Sequence, residues 1–158
     1  LAHPLRGSWR LAAFSTVAPI QLDEALAVMI FSGALERHPN MKLVLGESGL
    51  GWIPYVIERM DLQMGNHGAR ATDYRIQMKP SELFHRQVYA TFEEENLGKR
   101  LIPEIGIDNV MWASDYPHPD STFPESQRAI KELSADMNAA AVKKLTSSTA
   151  ASLYKISV

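Results

Sequence analysis

Three polar residues, Glu47, Thr91 and Asp115, each follow a short apolar run and precede a segment where a loop or helix is expected to begin. In parallel α/β folds, functional groups gather where strands end and loops begin. A carboxylate at such a point is costly to bury unless it is paired or bound to a metal. The two carboxylates therefore predict either metal-ligand and acid–base chemistry or caps that accept hydrogen bonds from the next helices.

A second pattern is the spacing of Asp115 and His118, three residues apart in a loop that contains Pro117, Pro119 and, just beyond, Pro124. Prolines stiffen a loop and fix the direction of its side chains, which suits a preorganised site. The alternative is a turn in which Asp and His bind only their own backbone. Asp115 is the leading catalytic candidate.

The elements that must position these residues follow from the hydrophobic periodicity. Apolar runs predict strands at 41–47, 87–92 and 109–115. Strands of this kind that alternate with helices predict a parallel sheet covered by helices. The predicted helices cover 22–37, 52–64, 93–105, 125–133, 139–145 and 148–154, a helical turn opens at Pro80, and 65–79 is a mixed loop.

Residues 1–21 show no clear period and predict an irregular lead-in to a single domain, 1–158. The order of elements gives about three βα units, whereas a closed eight-stranded barrel needs about 250 residues. If the strands are parallel and adjacent in chain order, Glu47, Thr91 and Asp115 should cluster at one end of the sheet, because parallel strands place their carboxyl ends together.

The composition is that of an ordinary soluble domain, with 46% hydrophobic and 22% charged residues among 158. A net charge of −2 with five histidines gives no indication of nucleic acid or an anionic membrane as partner. Because Cys is absent, there is no disulfide framework and no thiolate metal site, which fits a cytoplasmic location. No run is expected to approach the length of a transmembrane helix.

Several stretches, taken in order, resemble one known family. Residues 113–118 (Ala-Ser-Asp-Tyr-Pro-His) resemble the last-strand motif of the amidohydrolase-related family that includes aminocarboxymuconate semialdehyde decarboxylase and resorcylate-type decarboxylases. Residues 38–49 look like its sixth-strand region, 52–61 like the helix that follows, and 87–92 like its seventh strand. The resemblance covers roughly 22–155 and implies an α/β fold, the C-terminal part of a TIM-type (β/α)8 barrel.

The resemblance also implies a divalent metal, expected to be zinc, at the barrel mouth. In the family it is held by a His-x-His or Glu-x-His pair on the first strand, a His on the fifth and an Asp on the last. Asp115 matches that last Asp, which also handles the metal's water or a substrate proton. Glu47 stands where many relatives carry a catalytic His, and it can act as a base but not as a neutral imidazole. His118 and Arg59 are the substrate-binding candidates, although Arg59 could equally pair with a carboxylate of its own helix.

No two of the five histidines are separated by a single residue, so the first-strand pair is absent. His3 is the one candidate remnant of the fifth-strand ligand, whereas His38, His67 and His85 are predicted to lie at the surface. A catalytic zinc needs three or four ligands. Since Asp115 is the single convincing ligand, we expect an incomplete metal site.

Three functions remain open at this point. The leading one is the C-terminal portion of a metal-dependent hydrolase or decarboxylase that acts on a small carbonyl or carboxylate substrate. The alternatives are a non-catalytic α/β binding or assembly module, and a metal-free hydrolase that uses Glu47 and Asp115 as a carboxylate pair. Open strand edges and uncovered apolar residues predict a homo-oligomer. The strand residues expected to lack cover are Leu43, Leu45, Val110 and Trp112.

Overall fold

A parallel sheet forms the centre of the protein, whose computed structural model describes residues 8–71, 73–118 and 121–157. The strands are β1 (Leu43–Leu45), β2 (Val88–Phe92) and β3 (Val110–Trp112). They pair in the order β1-β2-β3 and both pairs are parallel, which confirms the predicted topology. The strands β1 and β3 end before their apolar runs do, because the last residues of these two runs turn into the following loop, whereas β2 ends with its run at Phe92.

Helices connect and cover the strands in the described part of the chain. They are α1 (Trp9–Val17), α2 (Leu22–Phe31), α3 (Ala34–Arg37), α4 (Ile53–Asn66), α5 (Pro80–Gln87), α6 (Asn96–Ile105), α7 (Ser126–Leu133), α8 (Ala139–Lys143) and α9 (Thr149–Tyr154). Short 3-10 turns lie at Ala18–Gln21, Gly68–Arg70 and Ile107–Asn109. A π-helical turn at Lys144–Ser148 joins α8 to α9. The predicted alternation of strands and helices is therefore confirmed.

The expectation that four strand residues lack cover is wrong. Leu45 and Val110 are buried, and Leu43 and Trp112 are partly buried in the same core. The reason is that α5 packs on β2, and the π-helical turn Lys144–Ser148 and α9 pack on β3. Large apolar side chains are instead exposed on helices and loops, at Trp9, Phe14, Val17, Ile20, Val28, Tyr55, Leu62, Leu97, Tyr116, Phe123, Tyr154 and Ile156.

The predicted irregular lead-in, residues 1–21, is helical where the structure describes it. Ser8 caps α1, because its hydroxyl accepts a hydrogen bond from the Arg10 N–H at 3.2 Å. No residue of α1 is buried. A helix that buries no face needs no hydrophobic period, which explains why the sequence pattern gave no signal.

The predicted helix 22–37 is broken into α2 and α3 at Gly33. Gly33 has a φ of 74°, a left-handed conformation that glycine adopts without steric cost. A β-carbon at this position would also overlap the ring of Tyr74. Leu26 and Ile30 of α2 are buried in the core, as the helical spacing predicted.

One helical run among the described residues, Trp9–Phe31, is 23 residues long and apolar enough to cross a membrane by length and composition alone. The expectation that no run approaches this length is therefore wrong. Core helices and signal sequences pass the same test. The α2 part of the run behaves as a core helix, because it carries the fully buried side chains of Leu26 and Ile30.

Two buried amides tie the amino ends of the strands together. The Gln87 side chain donates to the carbonyls of His38 and Met41, both at 2.9 Å. The Asn109 side chain donates to the carbonyls of His85 and Val88 at 2.9 and 2.8 Å. These bonds satisfy carbonyl groups ahead of β1 and at the start of β2, and they hold the strands in one register.

Glu36 anchors the long loop that leads into α5. One of its carboxylate oxygens accepts hydrogen bonds from the N–H groups of Gln77 and Met78, and the other accepts from the Tyr74 hydroxyl, all at 2.7 Å. Desolvation by burial raises the pKa of Glu36. The hydrogen bonds from Met78, Tyr74 and Gln77 and the nearby Arg86 charge lower it by more than desolvation raises it, so the pKa of Glu36 lies below its usual value. The ionised carboxylate therefore stabilises the folded loop.

We predict that Glu36→Gln lowers the free energy of unfolding by about 1–2 kcal/mol at pH 7, since hydrogen bonds to a charged acceptor are weakened. Because the folded pKa is depressed, this stabilisation is present above about pH 4.3 and is lost as the pH falls through the folded pKa. Urea unfolding at pH 7 and pH 3 should show the gap between wild type and variant narrowing in acid. Glu104→Gln, on the exposed side of α6, is the matched control. A gap of equal size at both pH values would contradict the assignment.

Candidate active site

The carboxyl ends of the three strands meet at one edge of the sheet. The Glu47 N–H, just beyond β1, donates to the Thr91 hydroxyl at 2.9 Å, and the Ala113 N–H, just beyond β3, donates to the Phe92 carbonyl at 2.9 Å. Glu47, Thr91 and Asp115 line one cavity of about 300 Å³. The predicted clustering of these three residues is therefore observed.

Both candidate carboxylates sit on strained backbone. Glu47 has a φ of 52° and Asp115 a φ of 58°. A left-handed conformation costs a residue with a β-carbon about 1 kcal/mol or more, and such strain persists where the surroundings over-determine it. Among the described non-glycine residues, Lys155 is the other with a positive φ, and it ends α9. Backbone strain thus coincides with two of the three positions that the strand-end rule selects, Glu47 and Asp115.

Asp115 and His118 contact each other across a tight turn. His118 Nδ1 lies 3.1 Å from Asp115 Oδ2, and the His118 N–H donates to the Asp115 carbonyl at 2.8 Å. The Asp115 side chain is 15% exposed and that of His118 is 57% exposed. The carboxylate is therefore largely enclosed, whereas the imidazole beside it is mostly exposed. Pro119, from the predicted stiff loop, lies outside the described residues.

Beyond this turn the loop closes on itself and returns the chain to α7. The Thr122 N–H donates to the Ser114 carbonyl at 3.0 Å, and the Thr122 and Ser126 hydroxyls are 3.0 Å apart. Thr122 is buried. These contacts fix both ends of the loop that presents Asp115.

The segment from α1 to the first residue of α2 forms a second wall of the mouth. A cavity of about 390 Å³ is lined by Phe14 of α1 and Leu22 together with Glu47, Asp115 and His118. The lead-in was expected to be irregular, so this wall was not foreseen. An apolar side chain opposite two carboxylates and an imidazole suits a small ligand with one apolar and one polar side.

The structure does not bring Arg59 to the mouth. Arg59 is exposed on α4 and lines a separate surface cavity with Asp23 and Glu24 of α2. His38 and His67 are exposed, as predicted. His85 is also exposed, as predicted, and His3 lies outside the described residues.

Sequence reasoning missed the acidic residues Glu93, Glu94 and Glu95, which follow β2 and line the same cavity as Asp115. They had been assigned to the start of a helix, but α6 begins only at Asn96. The strand-end rule that selected Thr91 could have found them, because they come next in the chain.

A network of hydrogen bonds joins the strand ends behind the carboxylates. The buried Ser48 hydroxyl shares its proton between the carbonyls of Gly49 and Thr91, at 3.0 and 3.2 Å. The Trp52 indole donates to the Ser48 carbonyl at 2.7 Å. The Trp112 indole donates to the Glu93 carbonyl at 3.1 Å. The turn after β1 is therefore fixed to β2, and β3 is fixed to the turn after β2.

The donor set of the mouth fits one metal ligand and not a complete metal site. Within 8–71, 73–118 and 121–157, no group of three His, Cys, Asp or Glu side chains is arranged to hold a metal ion. Asp115 offers an enclosed carboxylate with an imidazole beside it, a pairing that orients a ligating carboxylate in metal sites. A cation at this mouth needs further ligands from outside the described residues.

Comparison with known proteins supports the geometry. A family model described as amidohydrolase matches residues 14–156. The crystal structure of 5-carboxyvanillate decarboxylase LigW from Sphingomonas paucimobilis has a TM-score of 0.75 and 29% identity over 88% of this chain and 41% of that chain. Dihydroxybenzoic acid decarboxylase from Polaromonas sp. JS666, solved with bound manganese and the inhibitor 2-nitroresorcinol, has a TM-score of 0.66 and 21% identity over 87% of this chain and 41% of that one. No match was found among curated proteins.

These matches confirm the predicted fold class, the C-terminal part of a TIM-type (β/α)8 barrel with parallel strands. The chain spans 41% of the length of both matched structures.

We predict that Ser48→Ala lowers the free energy of unfolding by about 1–2 kcal/mol, because a fully buried hydroxyl that links two strand ends is removed. Ser147→Ala is the matched control, since the Ser147 hydroxyl donates to the Lys143 carbonyl within its own helical segment. The control should change the stability by less than about 0.5 kcal/mol in urea unfolding. Equal effects of the two substitutions would show that Ser48 does not fix the strand ends.

Proposed function

Because this chain belongs to the amidohydrolase family, we propose that it supplies the last-strand side of the active site of a metal-dependent hydrolase or decarboxylase. The substrate is a small carboxylate or carbonyl compound. The observation that carries the proposal is the joint placement of Glu47 and Asp115, both on left-handed backbone, in one cavity at the carboxyl ends of the strands. In barrel enzymes this end of the strands is the catalytic end.

In the proposal, Asp115 holds the divalent cation and manages a proton. His118, at 3.1 Å, keeps the carboxylate in one orientation. When bound, the cation supplies Lewis-acid polarisation of a substrate oxygen. A carboxylate oxygen suits several divalent ions. The family resemblance favours zinc, and manganese is the alternative because the Polaromonas structure contains it.

Glu47 is the second acid–base group of the proposal. It is exposed toward the cavity mouth, and its backbone is held by Thr91. A carboxylate there can accept a proton from water or from a substrate hydroxyl. The apolar wall at Phe14 opposite Glu47 gives the substrate's uncharged part a place to pack.

Decarboxylation is the favoured reaction class, because the matched structure at 29% identity is a decarboxylase. In that reaction the bond between carbon and the carboxylate breaks, CO2 leaves, and the carbon must receive a proton. We propose that Asp115 takes up a proton from solvent and passes it to that carbon as the bond to the carboxylate breaks. In a hydrolysis the same carboxylate would instead accept a proton from the attacking water.

We predict that Asp115→Asn in the full-length protein lowers turnover by roughly 10²-fold or more with the fold retained, because the amide keeps the shape but removes the charge and the proton site. Asp136→Asn is the matched control, since Asp136 is 86% exposed and pairs with Lys99 on the surface. Steady-state kinetics and circular dichroism give the readouts. A folded Asp115→Asn protein with near-normal turnover would reduce Asp115 to a residue that shapes its loop.

A further prediction concerns metal content and mass. We expect the 158-residue chain, expressed by itself, to hold well below one divalent ion after dialysis, because Asp115 leaves a cation under-coordinated. It should also self-associate through exposed apolar residues such as Trp9 and Phe14. Elemental analysis and light scattering provide the measurements. A monodisperse monomer with a full equivalent of zinc or manganese would contradict both expectations.

A further inference from the structure

Glu95 makes an unusual contact between two loops of the mouth. It directly precedes α6, yet its carboxylate does not cap its own helix. Both carboxylate oxygens instead accept from the Leu50 N–H, at 2.9 and 3.2 Å. Leu50 is fully buried and comes 45 residues before Glu95 in the chain. It lies in the turn that also carries Glu47.

Two glycines make room for this carboxylate. A β-carbon at Gly49 would overlap one oxygen of Glu95, and a β-carbon at Gly98 would lie 2.5 Å from the other. Gly49 also has a φ of 59°. The glycines come from different segments, the turn after β1 and the first turn of α6. The carboxylate therefore occupies a close-fitting space that both segments have to build.

The contact acts on the same turn that positions Glu47. The turn is also held by the Glu47 N–H and the Ser48 hydroxyl, which donate to Thr91, and by the Trp52 indole, which donates to the Ser48 carbonyl. All of these bonds have uncharged acceptors. A hydrogen bond to an ionised acceptor is about twice as strong as a neutral one. The loss of Glu95 would therefore release one end of the turn while the bonds to Thr91 still hold the other.

We propose that Glu95 is a positioning residue, which fixes the turn after β1 and thereby sets the position of the Glu47 carboxylate in the mouth. This inference rests on the proposed function only for the role of Glu47. The alternative, that Glu95 touches substrate itself, is a distinct outcome of the test, because Glu95 also lines the cavity.

The test uses Glu95→Gln, Glu47→Gln and the double variant in the full-length protein. Hydrogen–deuterium exchange of the Leu50 amide reports the hold on the turn. We expect Glu95→Gln to speed this exchange about tenfold, the scale expected when a charge-assisted bond is lost. We also expect Glu95→Gln alone to lower kcat/KM about tenfold. When Glu95→Gln is added to Glu47→Gln, kcat/KM should fall by less than about twofold more, because the effects of coupled residues are not additive.

Glu104→Gln is the control, since it makes the same charge change on the exposed side of the same helix and should leave exchange and turnover unchanged. Glu95→Asp is a second variant, in which the charge remains but the side chain is one methylene shorter, so that the carboxylate is drawn back from the Leu50 N–H. It should also speed exchange at Leu50, which keeps the test decisive if Glu95→Gln fails to fold.

Unchanged exchange at Leu50 in both variants would overturn the proposal. A tenfold loss in kcat/KM when Glu95→Gln is added to Glu47→Gln would also overturn it. Glu95 would then act independently of Glu47, as a residue that contacts the substrate does. If Glu47→Gln alone leaves turnover unchanged, the proposed role of Glu47 fails and with it the catalytic link from Glu95. Faster exchange at Leu50 would in that case still support the hold of Glu95 on the turn.

Discussion

The constraint on which the site depends is that three short parallel strands end at one edge of the sheet, where backbone N–H and C=O groups lose their ladder partners. Strands of three, five and three residues leave little ladder to fix the loops that follow. The missing partners come from the Thr91 hydroxyl, the Ser48 hydroxyl and the Glu95 carboxylate. Satisfying these groups is what gives the mouth one defined shape.

These hydrogen bonds at the strand ends explain how two residues with carboxylate side chains remain on left-handed backbone. Aspartate tolerates this conformation better than glutamate, because its short side chain can bond locally, as Asp115 does with His118. Among the residues that the structure describes, Glu47 makes no such local side-chain contact, and its turn is held instead by Thr91 and by Glu95 through Leu50. Strain at both positions is thus offset by bonds to neighbouring segments, which is the arrangement expected of a preorganised site.

The family match and the metal-ligating residues both indicate that the described residues supply only part of the site. The chain spans 41% of the matched structures and offers Asp115 as one enclosed carboxylate at the mouth. Exposed apolar side chains on α1, such as Trp9 and Phe14, and the outer edges of β1 and β3 leave surface to be covered. An incomplete ligand set and uncovered surface are consistent with a site that is completed by further polypeptide.

The sequence by itself determined the parallel sheet, its order and the meeting of Glu47, Thr91 and Asp115, because apolar runs that alternate with helices have few other solutions and parallel strands share one carboxyl end. The sequence did not predict helix α1 or the break at Gly33. The former buries no face and so leaves no period, and the latter depends on the ring of Tyr74, distant in sequence.

The contact of Glu95 with Leu50 and the placement of Arg59 away from the mouth were likewise decided by the tertiary structure alone. Both depend on how one loop or helix lies against another, and local periodicity carries no information about the approach of segments 45 residues apart.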